Sequence, residues 1–269
     1  MLCQPDDKMN YGLYTAYLGM RARLRTLEVI ANNVANASTT GYKADALHYR
    51  SVEATEIETA RRTAADTAQL DGTPASTSDA ALRSLRALGV TTGGLFDFSN
   101  GAVRQTSRTL DVALQGDGFL VVQTPRGERY TRDGALTLDA NGQLVTARGD
   151  LVVGEAGPIT IRPGEVAISE DGRITVGNQE QGRLKVVRFQ TPNADLLKES
   201  DSLFAANTGA QPQAAPQTRI QQGMLEASNV NPVGEMALML QNNREFESLQ
   251  RSITQLMSMH KIATEIGKI

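Results

Sequence analysis

Catalysis needs nucleophiles, bases or metal ligands at workable spacing, and this chain of 269 residues offers few. Its two histidines, His48 and His260, stand far apart, and its single cysteine, Cys3, sits in an acidic leader. One Cys excludes an intramolecular disulfide and a Cys-based zinc cluster. There is no G-x-S-x-G elbow to expose a nucleophilic serine. Gly116-Asp117-Gly118 opens like a dinucleotide fingerprint, but Val121 stands where the third glycine belongs and no helix follows, so a hairpin turn is expected. Gly177 to Gly182 is followed by Arg183 and Leu184 rather than Lys-Ser/Thr, and the phosphate-loop reading fails. Asp139-Ala140-Asn141-Gly142 lacks the further ligands and terminal Glu of a calcium loop and reads as a turn. Met236, Met239, Met257 and Met259 suit helical core packing better than a soft-metal site. No catalytic residue, metal site or cofactor is expected.

What the chain does carry is periodicity at both ends. Leu13, Tyr17, Met20, Leu24, Leu27, Ala31 and Val34 follow one another at alternating gaps of four and three, a heptad seam on a helix. Asn10 is placed to cap that helix, and Arg21 and Arg25 fall off the seam on a solvated face. The run NASTTGY stops it: Asn36, Ser38, Thr39 and Thr40 bond their own backbone, and Gly41 readily reverses the chain. At the other end Met239, Phe246, Leu249, Ile253, Leu256 and Ala263 share one register, with Asn242 and His260 in its polar slots. Asn231 as N-cap with Pro232 at the first helical position starts this second helix, which can run to about Ile266. Two such seams require partners, either each other or helices of neighbouring subunits.

Between them the character changes. From Lys43 to Gly94 the sequence reads as a flexible connector rich in Ala, Thr, Ser and charge, extended at first, with helical pieces possible at Ile57–Ala68 and Ala80–Leu88. From Leu95 to Arg219 the period becomes two, as in Ala135-Leu136-Thr137-Leu138 and Arg173-Ile174-Thr175-Val176. Asp117-Gly118, Asp133-Gly134, Asn141-Gly142 and Asp171-Gly172 punctuate these runs and predict hairpin turns. With aromatic content of 4% and no Trp, the β core is expected to consist mainly of Val, Leu and Ile. The fold class is therefore α+β: long N- and C-terminal helices forming a coiled-coil-type layer, with an inserted irregular all-β domain. The division is 1–9 leader, 10–42 N-terminal helix and its stop, 43–94 connector, 95–219 β domain, and 220–269 return segment and C-terminal helix.

Composition narrows the partners. A net charge of −3 predicts no attraction to nucleic acid or an anionic membrane. No stretch approaches the roughly 18 consecutive apolar residues of a spanning helix. MLCQPDDKMN lacks a continuous apolar segment, so a cleaved secretory signal is not expected, and Met9 is a second candidate start.

Four stretches carry a resemblance. Ile30-Ala31-Asn32-Asn33-Val34-Ala35-Asn36 with Ser38-Thr39-Thr40-Gly41-Tyr42-Lys43 resembles the N-terminal motif of the bacterial flagellar rod and hook family. SRTLDVALQGDGFLVVQT (Ser107–Thr124) and YTRDGALTLDANGQLVT (Tyr130–Thr146) are similar to its β-domain motifs. LEASNVNPVGEM (Leu225–Met236) is similar to the lead into its C-terminal helix, which singles out Asn229 and Asn231. Gly154 to Ile159 with Gly182 to Val187 resembles the proximal rod branch most, the distal rod branch being the alternative.

The resemblance implies a subunit of the basal-body rod in the periplasmic space, exported through the flagellar type III apparatus without a cleaved signal. It implies terminal helices packed in an inner coiled-coil layer, and as partners other rod proteins and copies of the same chain, with no small-molecule substrate. Two rivals make different predictions. A carbohydrate-binding β module would keep its function without the helices, and an enzyme on a β scaffold would need a convergent polar pocket.

Overall fold

The computed structural model describes residues 5–50, 91–200 and 202–266, with the side chains of 5–18, 47–50, 91–94, 260–261 and 263–266 excepted. The expected helical pieces at 57–68 and 80–88 lie outside the described residues, as do the side chains of Leu13, Tyr17, His48, His260 and Ala263. The described part divides into two units. One comprises 5–31, 46–50, 91–95 and 236–266, the other 32–45, 96–200 and 202–235.

The first unit holds most of the two long helices, α1 (Pro5–Ala35) and α3 (Pro232–Ile266), and nearly all of the two-stranded sheet of β1 (Asp45–Arg50) and β2 (Thr91–Phe96). Helix α1 begins at Pro5, five residues ahead of the expected cap at Asn10. Proline suits a first turn, where its missing N–H would have no intrahelical partner and its fixed φ is already helical.

The second unit is β-rich. A ten-stranded antiparallel sheet runs in the order β15 (Leu196–Ser200), β16 (Leu203–Ala206), β6 (Gly127–Thr131), β5 (Phe119–Thr124), β9 (Leu151–Gly154), β8 (Leu144–Thr146), β7 (Leu136–Leu138). Off this path β10 (Gly157–Pro158) joins β9, and β14 (Val186–Arg188) bridges β5 and β17 (Gln213–Ala214). Three small antiparallel sheets complete it: β11 (Val166–Ile168), β12 (Arg173–Val176) and β13 (Gln179–Arg183); β4 (Val112–Gln115) with β18 (Arg219–Gln222); β3 (Val103–Gln105) with β19 (Met224–Glu226). A single short turn of helix, α2 (Pro192–Asp195), precedes β15. The β structure thus extends past Arg219 into what the sequence assigned to the return segment.

Strand β5 explains the two cores. Its FLVV run is buried on both faces, as a central strand between two layers must be. Leu120 and Val122 face an aliphatic cluster with Val112, Leu114, Leu136, Leu144 and Ile220. Phe119 and Val121 face a second cluster with Tyr130, Phe189 and Phe204, flanked by Phe96 and Phe98. The first core is purely aliphatic, in line with the expectation of a β core mainly of Val, Leu and Ile, while the second adds aromatic rings to Val121, Val187 and Leu196. Five of the chain's six Phe gather there, with Phe98 and Phe204 centroids 5.4 Å apart and Phe119 and Phe204 5.9 Å apart.

The Asx-Gly pairs divide in two. Asn141-Gly142 joins the paired strands β7 and β8, and Asp171-Gly172 joins β11 and β12, each glycine at positive φ as a hairpin turn requires. Asp117-Gly118 and Asp133-Gly134 are not hairpin turns, because β4 does not pair with β5, nor β6 with β7. Glycine stands there for close approach: a Cβ on Gly134 would lie 1.7 Å from the Val112 carbonyl oxygen, and one on Gly118 would lie 2.8 Å from both Thr218 Oγ1 and Val186 Cγ1.

Candidate functional site

Helix propensity fails after Ala35 because Asn36 turns its side chain back on the helix: Nδ2 donates to the Asn32 carbonyl and to Asn32 Oδ1, both at 3.0 Å. Its own Oδ1 accepts from Thr39 Oγ1 at 3.1 Å. Gly41 then takes φ +65°, and a Cβ there would lie 2.4 Å from the Arg132 carbonyl carbon. Only glycine fits both conditions. The chain after the helix is thereby laid against the β-rich unit to which residues 32–45 belong.

Asn33 is the hub of this joint and is almost fully buried. Its Nδ2 donates to the Asp45 carbonyl at 2.9 Å and to Glu235 Oε1 at 3.3 Å. Its Oδ1 accepts from the Asp45 N–H at 2.8 Å and from the Tyr42 hydroxyl at 3.2 Å. Both donors and both lone pairs of the amide are used. Asn32 Nδ2 donates to Asp45 Oδ2 at 2.9 Å. Asn229 Oδ1 accepts from the Ala44 N–H at 2.8 Å while its Nδ2 donates to the Asp97 carbonyl at 2.8 Å. Asn231 caps α3, its Oδ1 accepting from the Gly234 N–H at 3.2 Å. Six of the seven motif residues chosen from sequence, Asn32, Asn33, Asn36, Gly41, Tyr42 and Asn229, therefore meet in one place, and Asn231 stands beside them at the start of α3.

Sequence reasoning missed the charges beneath. Lys43 Nζ lies 2.7 Å from Glu226 Oε1, Arg132 NH1 lies 3.3 Å from Glu226 Oε2, and these side chains are 1–2% exposed. Lys198 Nζ sits 3.8 Å over the Tyr42 ring and pairs with Asp45 Oδ1 at 2.5 Å. Burial pushes the Lys43 ammonium and the Arg132 guanidinium below their ordinary values, and Glu226 pulls both back. Burial pushes the Glu235 carboxyl up, with Asn33 opposing. The sequence carried little signal of them: Lys43 is the one charge in its motif string, but Arg132 stands beside Asp133, and Glu226 shares its string with Glu235.

The seam residues fall elsewhere. In the helical unit Asn242 Nδ2 donates to the Arg23 carbonyl at 2.9 Å, Arg23 NH1 pairs with Glu245 Oε2 at 2.7 Å, and a Cβ on Gly19 would lie 3.9 Å from Leu249 Cδ1. On α3, Met239, Phe246, Leu249 and Ile253 are half-buried and Leu256 is exposed. On α1 the contacts run through Gly19 and Arg23, each one position before a seam residue, a rotation of about 100°. Met20, Leu27 and Val34 are left half-buried, and Leu24 and Ala31 exposed. Among the described residues no three metal-ligating side chains stand together, and no helix is long and apolar enough to cross a membrane.

Comparison with known proteins agrees with this arrangement. Three family profiles match: flagella basal body rod protein over residues 13–43, the flagellar hook protein FlgE/F/G D1 domain over 113–176, and the flagellar basal body rod FlgEFG protein C-terminal region over 221–266. The flagellar basal-body rod protein FlgF of Caulobacter vibrioides is 34% identical over 97% of this chain and 100% of its own length. FlgF of Salmonella typhimurium is 36% identical over 91% and 94%. The rod protein FlgG of Borreliella burgdorferi is 31% identical over 97% and 100%. The chain belongs to the flagellar basal-body rod protein family and is a structural subunit of the basal-body rod rather than an enzyme, with higher identity to these FlgF relatives than to the FlgG one.

Proposed function

We propose that the chain polymerises through α1 and α3 into the helical drive shaft that transmits torque, as a proximal, FlgF-like rod subunit. Its terminal helices pack as a coiled-coil-type layer and its β unit adds lateral contacts. The observation that carries this reading is the open seam on α1. The helix pair of a single chain uses the α3 register but leaves Leu24 44% exposed, while α3 itself presents Leu240 at 62% and Leu256 at 37%. Apolar residues at heptad spacing and in water call for further helices. A contact between unlike surfaces that does not close on itself generates a helical filament. The partners are other rod proteins and copies of the same chain, and delivery to the periplasm runs through the flagellar type III export apparatus, a reading supported by family membership. The motif residues Asn32, Asn33, Asn36, Gly41, Tyr42, Asn229 and Asn231 hold the helix ends, and Leu13, Tyr17, Met20, Leu24, Leu27, Ala31 and Val34 with the α3 register form the subunit interface. Leu24→Asp would place an unpaired charge in that interface. The variant is expected to abolish rod incorporation and motility while the β unit stays folded. Normal incorporation and motility would refute the reading.

A further inference from the structure

Lys43, Arg132 and Glu226 come from three distant parts of the sequence, yet two buried cations share one carboxylate. The other polar partners of the cations include only neutral groups: the Ser99 carbonyl at 2.7 Å from Lys43 Nζ, and the Gly116 carbonyl at 2.7 Å from Arg132 NH2. Glu226 does more than neutralise. Its Oε1 also accepts from the Gly101 N–H at 2.9 Å, and its backbone carbonyl accepts from the Gly41 N–H at 2.9 Å. Laying the segment after α1 on the β unit therefore brings the Lys43 ammonium toward an already buried guanidinium. Removing one partner of such a group is strongly unfavourable, because the remaining charges stay buried and uncompensated.

We infer that this triad makes the docking of segment 40–45 conditional on strand β19: until Glu226 is in place against β3, the end of α1 stays off the β unit. A chain made from its N-terminus presents Lys43 and Arg132 before Glu226. The joint is thus fixed only when the C-terminal strand has arrived, and an incomplete chain lacks it. The inference stands on the fold of a single chain and holds wherever the subunit sits in the rod.

Amide hydrogen exchange on the full-length chain tests it, with Glu226→Gln and the double variant Lys43→Met/Glu226→Gln. The reporters are the N–H groups of Gly41, Ala44 and Asp45, bonded to Glu226 O, Asn229 Oδ1 and Asn33 Oδ1. Glu226→Gln is expected to lower their protection by about 100-fold or more while β5 and β6 keep theirs. The double variant removes one of the stranded cations and is expected to recover most of the loss. Unchanged reporters in Glu226→Gln, an equal loss across β5 and β6 in a folded protein, or no recovery in the double variant would overturn the inference. Should Glu226→Gln fail to fold, the double variant decides: folded with protected reporters supports the coupling, unfolded refutes it.

Discussion

At the residue scale the joint depends on side chains whose chemistry admits no near substitute. Gly41 and Gly149 both hold positive φ, but a Cβ at Gly41 would strike the Arg132 backbone whereas one at Gly149 meets nothing within 4 Å. Gly149→Ala is expected to cost about 1–2 kcal/mol for the left-handed backbone alone. Gly41→Ala should cost about 2–5 kcal/mol, since overpacking adds to that strain. Urea denaturation of the two variants measures the difference, and equal losses would mean the close approach has no energetic weight. Glu235 gives a pH signature. Its carboxyl is raised in the folded chain, so it holds its proton more tightly there than when unfolded. That contribution to stability is full below the ordinary carboxylate value and is lost as pH rises through the raised one. Glu235→Gln should flatten the melting temperature across that window, and an unchanged slope would exclude Glu235 as its source.

At the element scale the helix pair is held at a polar contact. Asn242 is almost fully buried, and its Oδ1 has no hydrogen-bond partner among the described residues. A buried polar slot of this kind fixes helix register at a cost in stability. Asn242→Leu should therefore stabilise the pair by about 1 kcal/mol, and Asn242→Asp, which cannot donate to the Arg23 carbonyl, should destabilise it. Melting followed by far-UV circular dichroism distinguishes the two, and the same sign for both would contradict the assignment. The α3 register was legible because the 4-3 spacing survives in its half-buried positions. The face of α1 that meets α3 within one chain was not legible, because Gly19 and the Arg23 backbone carbonyl make the contact, and neither registers in an apolar pattern. The same blindness explains Asp117-Gly118 and Asp133-Gly134. A glycine required by a neighbour's backbone looks, in sequence, like one required by a turn.

At the scale of the whole molecule, the last turn of α1 and the first residues of α3 are both part of the β-rich unit, so each terminal helix is rooted in that unit at one end. The alternation of helix, β-rich region and helix was readable from periodicity, and the family from four strings that together span both ends. The Lys43–Arg132–Glu226 group was not, because nothing local in a strand or turn tells a buried charge from an exposed one. Its three members become neighbours only after folding. The measurement that tests the rod assignment most directly is immunogold microscopy of purified hook–basal bodies from motile cells whose chain carries a small epitope tag within residues 70–80. Label on the rod near its inner-membrane end is the predicted result. Label confined to the outer rod would contradict the proximal assignment, and full motility with the tagged chain expressed but absent from basal bodies would contradict the structural role itself.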